Sequence, residues 1–254
     1  MVKTRIIPCL LLKNGRCVKG VNFKNHRDVG HPVTNAKIYD SQGADELVLI
    51  DITRNMENRD LLLGMIKETA DRCFMPLTVG GGIRTLEDIE SILNAGADKI
   101  LINTFAVNNE YFIKQAAERF GKQCIIVSVD YKINSKNKLE VFIFSGKKST
   151  GLNPIDWAER AEELGAGEIL LTNIDREGTR TGYDIELIKI LSDKLSIPLI
   201  ANGGAGSLEH LKDAIMEAGA SAVGLGSILH FTDQNVIKVR DYLHTNKINV
   251  RINV

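Results

Sequence analysis

The chain has 254 residues, 44% hydrophobic and 25% charged, with 32 basic side chains balanced by 32 acidic ones. A formal charge of zero creates no global field to gather a polyanion, so nucleic acid is not an expected partner, although local anion sites remain open. No apolar run approaches the roughly 18–20 residues of a membrane span, and the start of the chain lacks a signal-peptide core and cleavage site; no membrane association and a cytoplasmic location are expected.

In chain order, short apolar runs at 5–10, 46–50, 77–79, 99–102, 124–129, 168–172, 199–201 and 222–225 alternate with amphipathic stretches such as 85–94, 110–120, 154–164, 184–195 and 208–218. The apolar runs are rich in Ile, Val and Leu almost throughout, as parallel strands covered on both faces are. Asn153 before Pro154 and Ser207 before Leu208 read as helix caps. Eight such strand–helix units in a chain of this length predict an α/β fold, a (β/α)8 TIM barrel. A doubly wound open sheet would give the same alternation.

An internal repeat favours the barrel. Residues 75–104 match 197–227 with one insertion, and 43–52 match 165–174. Two copies of four units each describe a barrel built from two homologous half-barrels, about 1–121 and 122–254, with no linker between them. One domain over 1–254 is expected.

Catalytic groups of such barrels sit at the carboxyl ends of the strands. Gly80-Gly81-Gly82 and Gly203-Gly204 end the third and seventh strands; Asn103-Thr104 and Gly226-Ser227 follow the fourth and eighth. Glycine lets backbone N–H groups approach an anion, so two phosphate cradles half a barrel apart are expected, suited to a bisphosphorylated small molecule. The plain alternative is that these glycines only make tight turns. Asp130 ends an apolar strand, where a carboxylate is a candidate acid or base, or else caps its own loop. Residues 13–31 read as a polar loop bearing Arg16, Lys19, Lys24 and Arg27, with Lys19 the best placed to reach inward. At the opposite rim Arg5, Glu46, Lys99 and Glu168 each begin an apolar run, with alternating signs, and can form a salt-bridged floor or a gate.

Cys9, Cys17, Cys73 and Cys124 form no CxxC pair and the five histidines show no ligand spacing, so no metal and no cofactor are expected. Cys9 and Cys124 read as buried thiols within strands.

The segments TVGGGIRTLEDIESILNAGADKILINT (78–104), FSGKKSTGLNPIDWAERAEELGAGEILLTNIDREGT (144–179), IANGGAG (200–206) and the closing NVRIN (249–253) resemble the cyclase subunit of imidazole glycerol phosphate synthase. The resemblance implies a barrel that partners a glutaminase subunit in a heterodimer, forming a glutamine amidotransferase of histidine biosynthesis. Ammonia would enter at the floor and attack a bisphosphorylated ribulosyl intermediate at the mouth, a lyase reaction giving imidazole glycerol phosphate and aminoimidazole carboxamide ribotide. By this resemblance Lys19, Gly82, Asn103, Thr104, Asp130, Thr172, Gly203, Gly204 and Ser227 bind or transform substrate. Arg5, Glu46, Lys99 and Glu168 match the family's ammonia gate, and Asp98 a contact to the glutaminase.

Two positions depart from that pattern. Leu11 stands where the family carries its first catalytic aspartate, and Glu177 where it usually has aspartate. Leucine can neither give nor take a proton, so the cyclase pair is reduced to Asp130. A paralogous branch, associated with amidation of bacterial surface-sugar precursors, resembles this chain in the opening IPCLLLKNG; there a separate sugar amidotransferase uses the ammonia. The readings are therefore a paralogue of this kind, a working histidine-pathway cyclase, or a non-catalytic scaffold that activates a glutaminase. The sister isomerase also needs an acid or base at the strand-one end.

Overall fold

The computed structural model describes residues 3–53 and 59–252. Asn253 of the closing motif, with residues 1–2, 54–58 and 254 of the expected domain, lies outside them. In chain order, β1 (Arg5–Lys13) leads into an antiparallel ribbon, β2 (Arg16–Val21) and β3 (Lys24–Gly30), and then α1 (Pro32–Ser41). Next come β4 (Leu47–Asp51), α2 (Arg59–Ala70), β5 (Leu77–Gly80), α3 (Leu86–Asn94), β6 (Lys99–Ile102), α4 (Thr104–Asn108) and α5 (Tyr111–Phe120). A 3-10 turn at Lys122–Cys124 precedes β7 (Ile125–Ile133), which carries its own ribbon, β8 (Leu139–Ile143) and β9 (Lys148–Ser149). The chain continues through α6 (Pro154–Glu163), β10 (Glu168–Asn173), α7 (Ile185–Lys194), β11 (Leu199–Asn202), α8 (Leu208–Met216), β12 (Ala222–Leu225), α9 (Ser227–Phe231) and α10 (Val236–Thr245).

Strands β1, β4, β5, β6, β7, β10, β11 and β12 pair in parallel in that order, and β12 returns to pair with β1, so the sheet is a closed (β/α)8 barrel. Alternation along each strand sends two sets of side chains in opposite directions. Ile6, Leu10, Leu47, Leu49, Val79, Ile100, Val127 and Ile169 pack outward under the helices. Ile7, Cys9, Val48, Leu101, Ile126, Leu170, Ile200 and Ala222 form a second apolar cluster inside the barrel. Matched capping boxes, Thr85 with Asp88 and Ser207 with His210, start α3 and α8 directly after the two glycine turns.

Some expected boundaries change. Residues 13–31 are a two-stranded ribbon, not a loop: Asn14 (φ 50°) and Gly15 (φ 77°) make the two-residue turn that folds β2 back on β1. Strands β1 and β7 run on past residues 10 and 129 because each continues into its ribbon. Glu46 directly precedes β4, and Cys124 lies in the 3-10 turn and is only half-buried. Among the described residues no helix is long and apolar enough to cross a membrane.

At the amino ends of the strands the barrel floor is closed by charge. Arg5 binds Glu46 at 2.9 Å and Glu168 at 2.6 Å; Lys99 binds Glu46 at 2.9 Å and Glu168 at 2.6 Å. The four form one closed loop of alternating sign. The Thr78 hydroxyl donates to the remaining Glu46 oxygen at 2.6 Å. Strand β12 offers only the Ala222 methyl opposite Arg5, which leaves room for the guanidinium. Burial opposes the charge on Glu168, but the bonds and charges of Arg5 and Lys99 outweigh it and hold the carboxyl below the ordinary range.

The closing tail is fastened beside this floor. Thr4 bridges Val250 in parallel and its N–H donates to the Asn249 carbonyl at 2.8 Å. Asp45 pairs with Arg240 at 3.1 Å and Arg251 at 3.5 Å, and accepts from the Ile6 N–H.

Candidate active site at the barrel mouth

A cavity of about 1360 Å³ opens at the carboxyl ends of the strands and reaches down to Cys9 and Leu101. Its walls differ. On the β1–β4 side Leu11, Ile50, Ile52 and Leu62 make an apolar surface below a polar rim of Lys13, Asp51 and Thr53; on the β7–β10–β11 side the walls carry Ser128, Asp130, Thr172 and Asn202. Below lies a throat of Ile7, Val48, Ile126, Leu170, Ile200 and Ala222, between the mouth and the charged floor.

Asp130 is 9% exposed and stands at the top of the apolar stretch of β7. Asn103 donates to its Oδ2 at 2.7 Å and Ser128 to its Oδ1 at 2.9 Å. The Thr172 oxygen accepts from Asn202 at 3.0 Å, which leaves its hydrogen for Asp130, its neighbour in register. Burial pushes the Asp130 carboxyl up to about 6, against the downward pull of Ser128, Asn103 and Thr172. The group therefore changes protonation close to neutrality, as an acid–base catalyst requires.

Across the barrel, β1 offers nothing equivalent. Leu11 is half-buried in the apolar wall. Burial pushes the Cys9 thiol up to about 12, so it stays protonated, in keeping with a buried structural cysteine.

Lys19 does reach inward from β2. Its Nζ pairs with the Glu177 carboxylate, and both side chains are buried in the cavity wall. Burial pulls the Lys19 ammonium down to about 8. The ribbon tip crosses the mouth: Asn22 donates from its backbone to the Glu177 carbonyl at 2.8 Å, and from its side chain to the carbonyls of Ile174 and Asp175 at 3.0 and 2.6 Å. A β-carbon at Gly178 would lie 2.4 Å from the Gly20 carbonyl oxygen, so glycine is needed for this docking.

The glycine corners lie where expected. Gly81 (φ 107°) and Gly204 (φ 117°) turn so tightly that a β-carbon would sit 2.1 Å from the carbonyl oxygens of Asp51 and Gly182 respectively. Gly82 and Gly203 also have positive φ, and Gly226 lies against the Lys19 chain. All five line the cavity, with Asn103, Thr104 and Ser227. Thr104 is engaged by the second ribbon, its oxygen accepting from the Phe144 N–H at 3.1 Å. Asn103 Oδ1, Glu177 Oε2 and Ser227 Oγ are buried without a hydrogen-bond partner among the described residues. Three such polar atoms around one open cavity are available to water or to a polar ligand.

The structure thus gathers Lys19, Gly81, Gly82, Asn103, Thr104, Asp130, Thr172, Glu177, Gly203, Gly204, Gly226, Ser227 and Leu11 at one mouth. Arg5, Glu46, Lys99 and Glu168 meet at the other end, and Asp98 is exposed beside them, its Oδ2 accepting from the Leu77 N–H at 2.8 Å. Ser128, Asn202 and Arg59 also line the mouth and were missed from the sequence. Ser128 had a signal, a hydroxyl two residues before Asp130 within an apolar run.

A model of the histidine biosynthesis protein family matches residues 5–235, nearly all of this barrel. The chain belongs to that family. Family members are barrel isomerases and cyclases, which makes this chain a histidine-biosynthesis-type enzyme barrel and fits a catalytic mouth at the carboxyl end of its strands.

Proposed function

We propose that the chain is the cyclase-family synthase subunit of a glutamine-dependent amidotransferase. A glutaminase docks at the floor, near Asp98, and ammonia passes between Arg5, Glu46, Lys99 and Glu168 and along the barrel axis to the mouth. The observation that carries this reading is the closed charge ring beneath an apolar throat. Charged side chains at the inlet can hold a polar molecule, while the throat suits a small neutral one, because an ion there would lose its hydration. The bisphosphorylated partner in the mouth is supported by the two glycine corners, with the Ser227 hydroxyl free to donate beside one of them. We also read the matched halves, 1–121 and 122–254, as copies of one ancestral half within a single domain.

Leu11 favours a paralogue whose ammonia serves another acceptor, such as a surface-sugar precursor handled by a separate amidotransferase. Ring closure needs protons both delivered and removed, and β1 lines the cavity with no carboxylate to share that task with Asp130. A histidine-pathway cyclase is the second reading, favoured by the complete donor set around Asp130. The deciding experiment supplies purified protein with an ammonium salt and the ribulosyl bisphosphate intermediate. Little imidazole glycerol phosphate is expected; full turnover by the wild type would replace the first reading with the second.

A further inference from the structure

We propose that Ser128 is a positioning residue that holds the Asp130 carboxyl from the throat side and favours its ionised form over the protonated one. The inference deepens the reading of Asp130 as the acid–base group and rests on it for its catalytic meaning.

The geometry starts from strand alternation. Ser128 and Asp130 lie two residues apart on β7, so both face the barrel interior, one pleat apart. Opposite Ser128 in register is Leu170, a member of the apolar throat. A hydroxyl at this depth, 4% exposed, is unfavourable unless it is bonded. Its bond runs upward to Asp130 Oδ1 at 2.9 Å. Asn103 takes the other oxygen, so the carboxylate is held at both ends and its side-chain rotation is blocked. The amide of Asn103 can only donate there, and the Ser128 hydroxyl donates to a carboxylate, so the pair favours the charged form.

The corresponding strand in the first half carries neither member. Its side chains are Cys9 and Leu11, and the Cys9 thiol turns down to the Ile7 carbonyl at 3.5 Å. The hydroxyl and the carboxylate are present together on one strand and absent together on the other. The bonded pair on β7, against a thiol turned away on β1, is the arrangement a support for Asp130 requires.

The test follows the carboxyl carbon of Asp130 by 13C NMR in aspartate-labelled protein, with the resonance assigned by its loss in Asp130→Asn. The wild-type midpoint is expected near 6. Ser128→Ala should raise it by about one pH unit or more, the effect of losing one charge-assisted donor. Ser128→Thr, which keeps the hydroxyl, should restore it. An unchanged midpoint in Ser128→Ala overturns the proposal, as does a threonine variant displaced as far as the alanine one. If threonine does not fit, the alanine comparison decides alone. The titration needs no substrate, so it separates two failures: a midpoint that moves while turnover ignores Asp130→Asn retains the coupling and removes the catalytic role of Asp130.

Discussion

Leu11 and Asp130 stand on opposite strands of the barrel, β1 and β7, each lining the mouth near the start of an antiparallel ribbon. At matched positions one strand offers an aliphatic side chain and the other a buried carboxylate. Leu11→Asp would put a second carboxylate across the cavity. Under the paralogue reading it should raise ammonia-dependent cyclisation by about 10²–10⁴-fold, the usual contribution of one acid–base partner. The measurement is imidazole glycerol phosphate formed by the variant and the wild type, side by side. No gain in a well-folded variant would argue that the mouth lacks more than this group.

Asp130 also leaves a mark on stability. Its folded pKa, about 6, lies above the unfolded value near 3.8, so the folded state holds the proton more tightly. Its favourable contribution is complete below the unfolded value and is lost as pH rises from about 4 through 6. Asp130→Asn should therefore gain about 1–3 kcal/mol relative to wild type between pH 4 and pH 7. Denaturant melts at the two pH values check it; a difference that does not grow with pH contradicts the buried-carboxylate assignment.

The floor ring gives a prediction in two parts. Lys99→Met leaves Glu46 and Glu168 with Arg5 alone and should cost about 1–3 kcal/mol, less than a fully buried pair because Lys99 and Arg5 keep partial access to water. With a glutaminase partner present, glutamine-driven turnover should fall while ammonium-driven turnover persists. Equal losses in both would place the ring outside any nitrogen route.

Neighbouring glycines should respond very differently to a methyl group. Gly81→Ala meets the Asp51 carbonyl at 2.1 Å and should cost more than about 3 kcal/mol. Gly82→Ala has open space, with Arg59 3.9 Å away, and should cost only about 1–2 kcal/mol for its left-handed backbone. Melting temperatures of the two variants test the contrast, and similar losses would refute this account of the corner.

The sequence made the barrel and much of its mouth legible because parallel strands covered on both faces are dense in Ile, Val and Leu, and because Asp130 interrupts such a run. The ring was legible for a similar reason: Arg5, Lys99 and Glu168 are charges at the edges of apolar segments. The ribbons were not. β3 contains Lys24, Asn25, His26, Arg27 and Asp28 in succession, with no apolar alternation to mark a strand. The Asn14-Gly15 pair was the available signal, a dipeptide suited to the two-residue turn of a hairpin. Asn202 was passed over beside the glycines it precedes, although its amide organises Thr172. The Lys19–Glu177 pair spans 158 residues, and no local pattern encodes such a meeting.

The tail clamp makes the first and last strands interdependent. β1 and β12 form the joint where the sheet closes on itself, and Thr4, Asp45, Arg240, Val250 and Arg251 stitch the lower edge of that joint. Arg5 is the next residue along. Cutting the stitches, for instance by trimming the chain after Lys247, would let the cylinder begin to unzip at its charged floor, leaving the distant Asp130 pocket as the last part to notice.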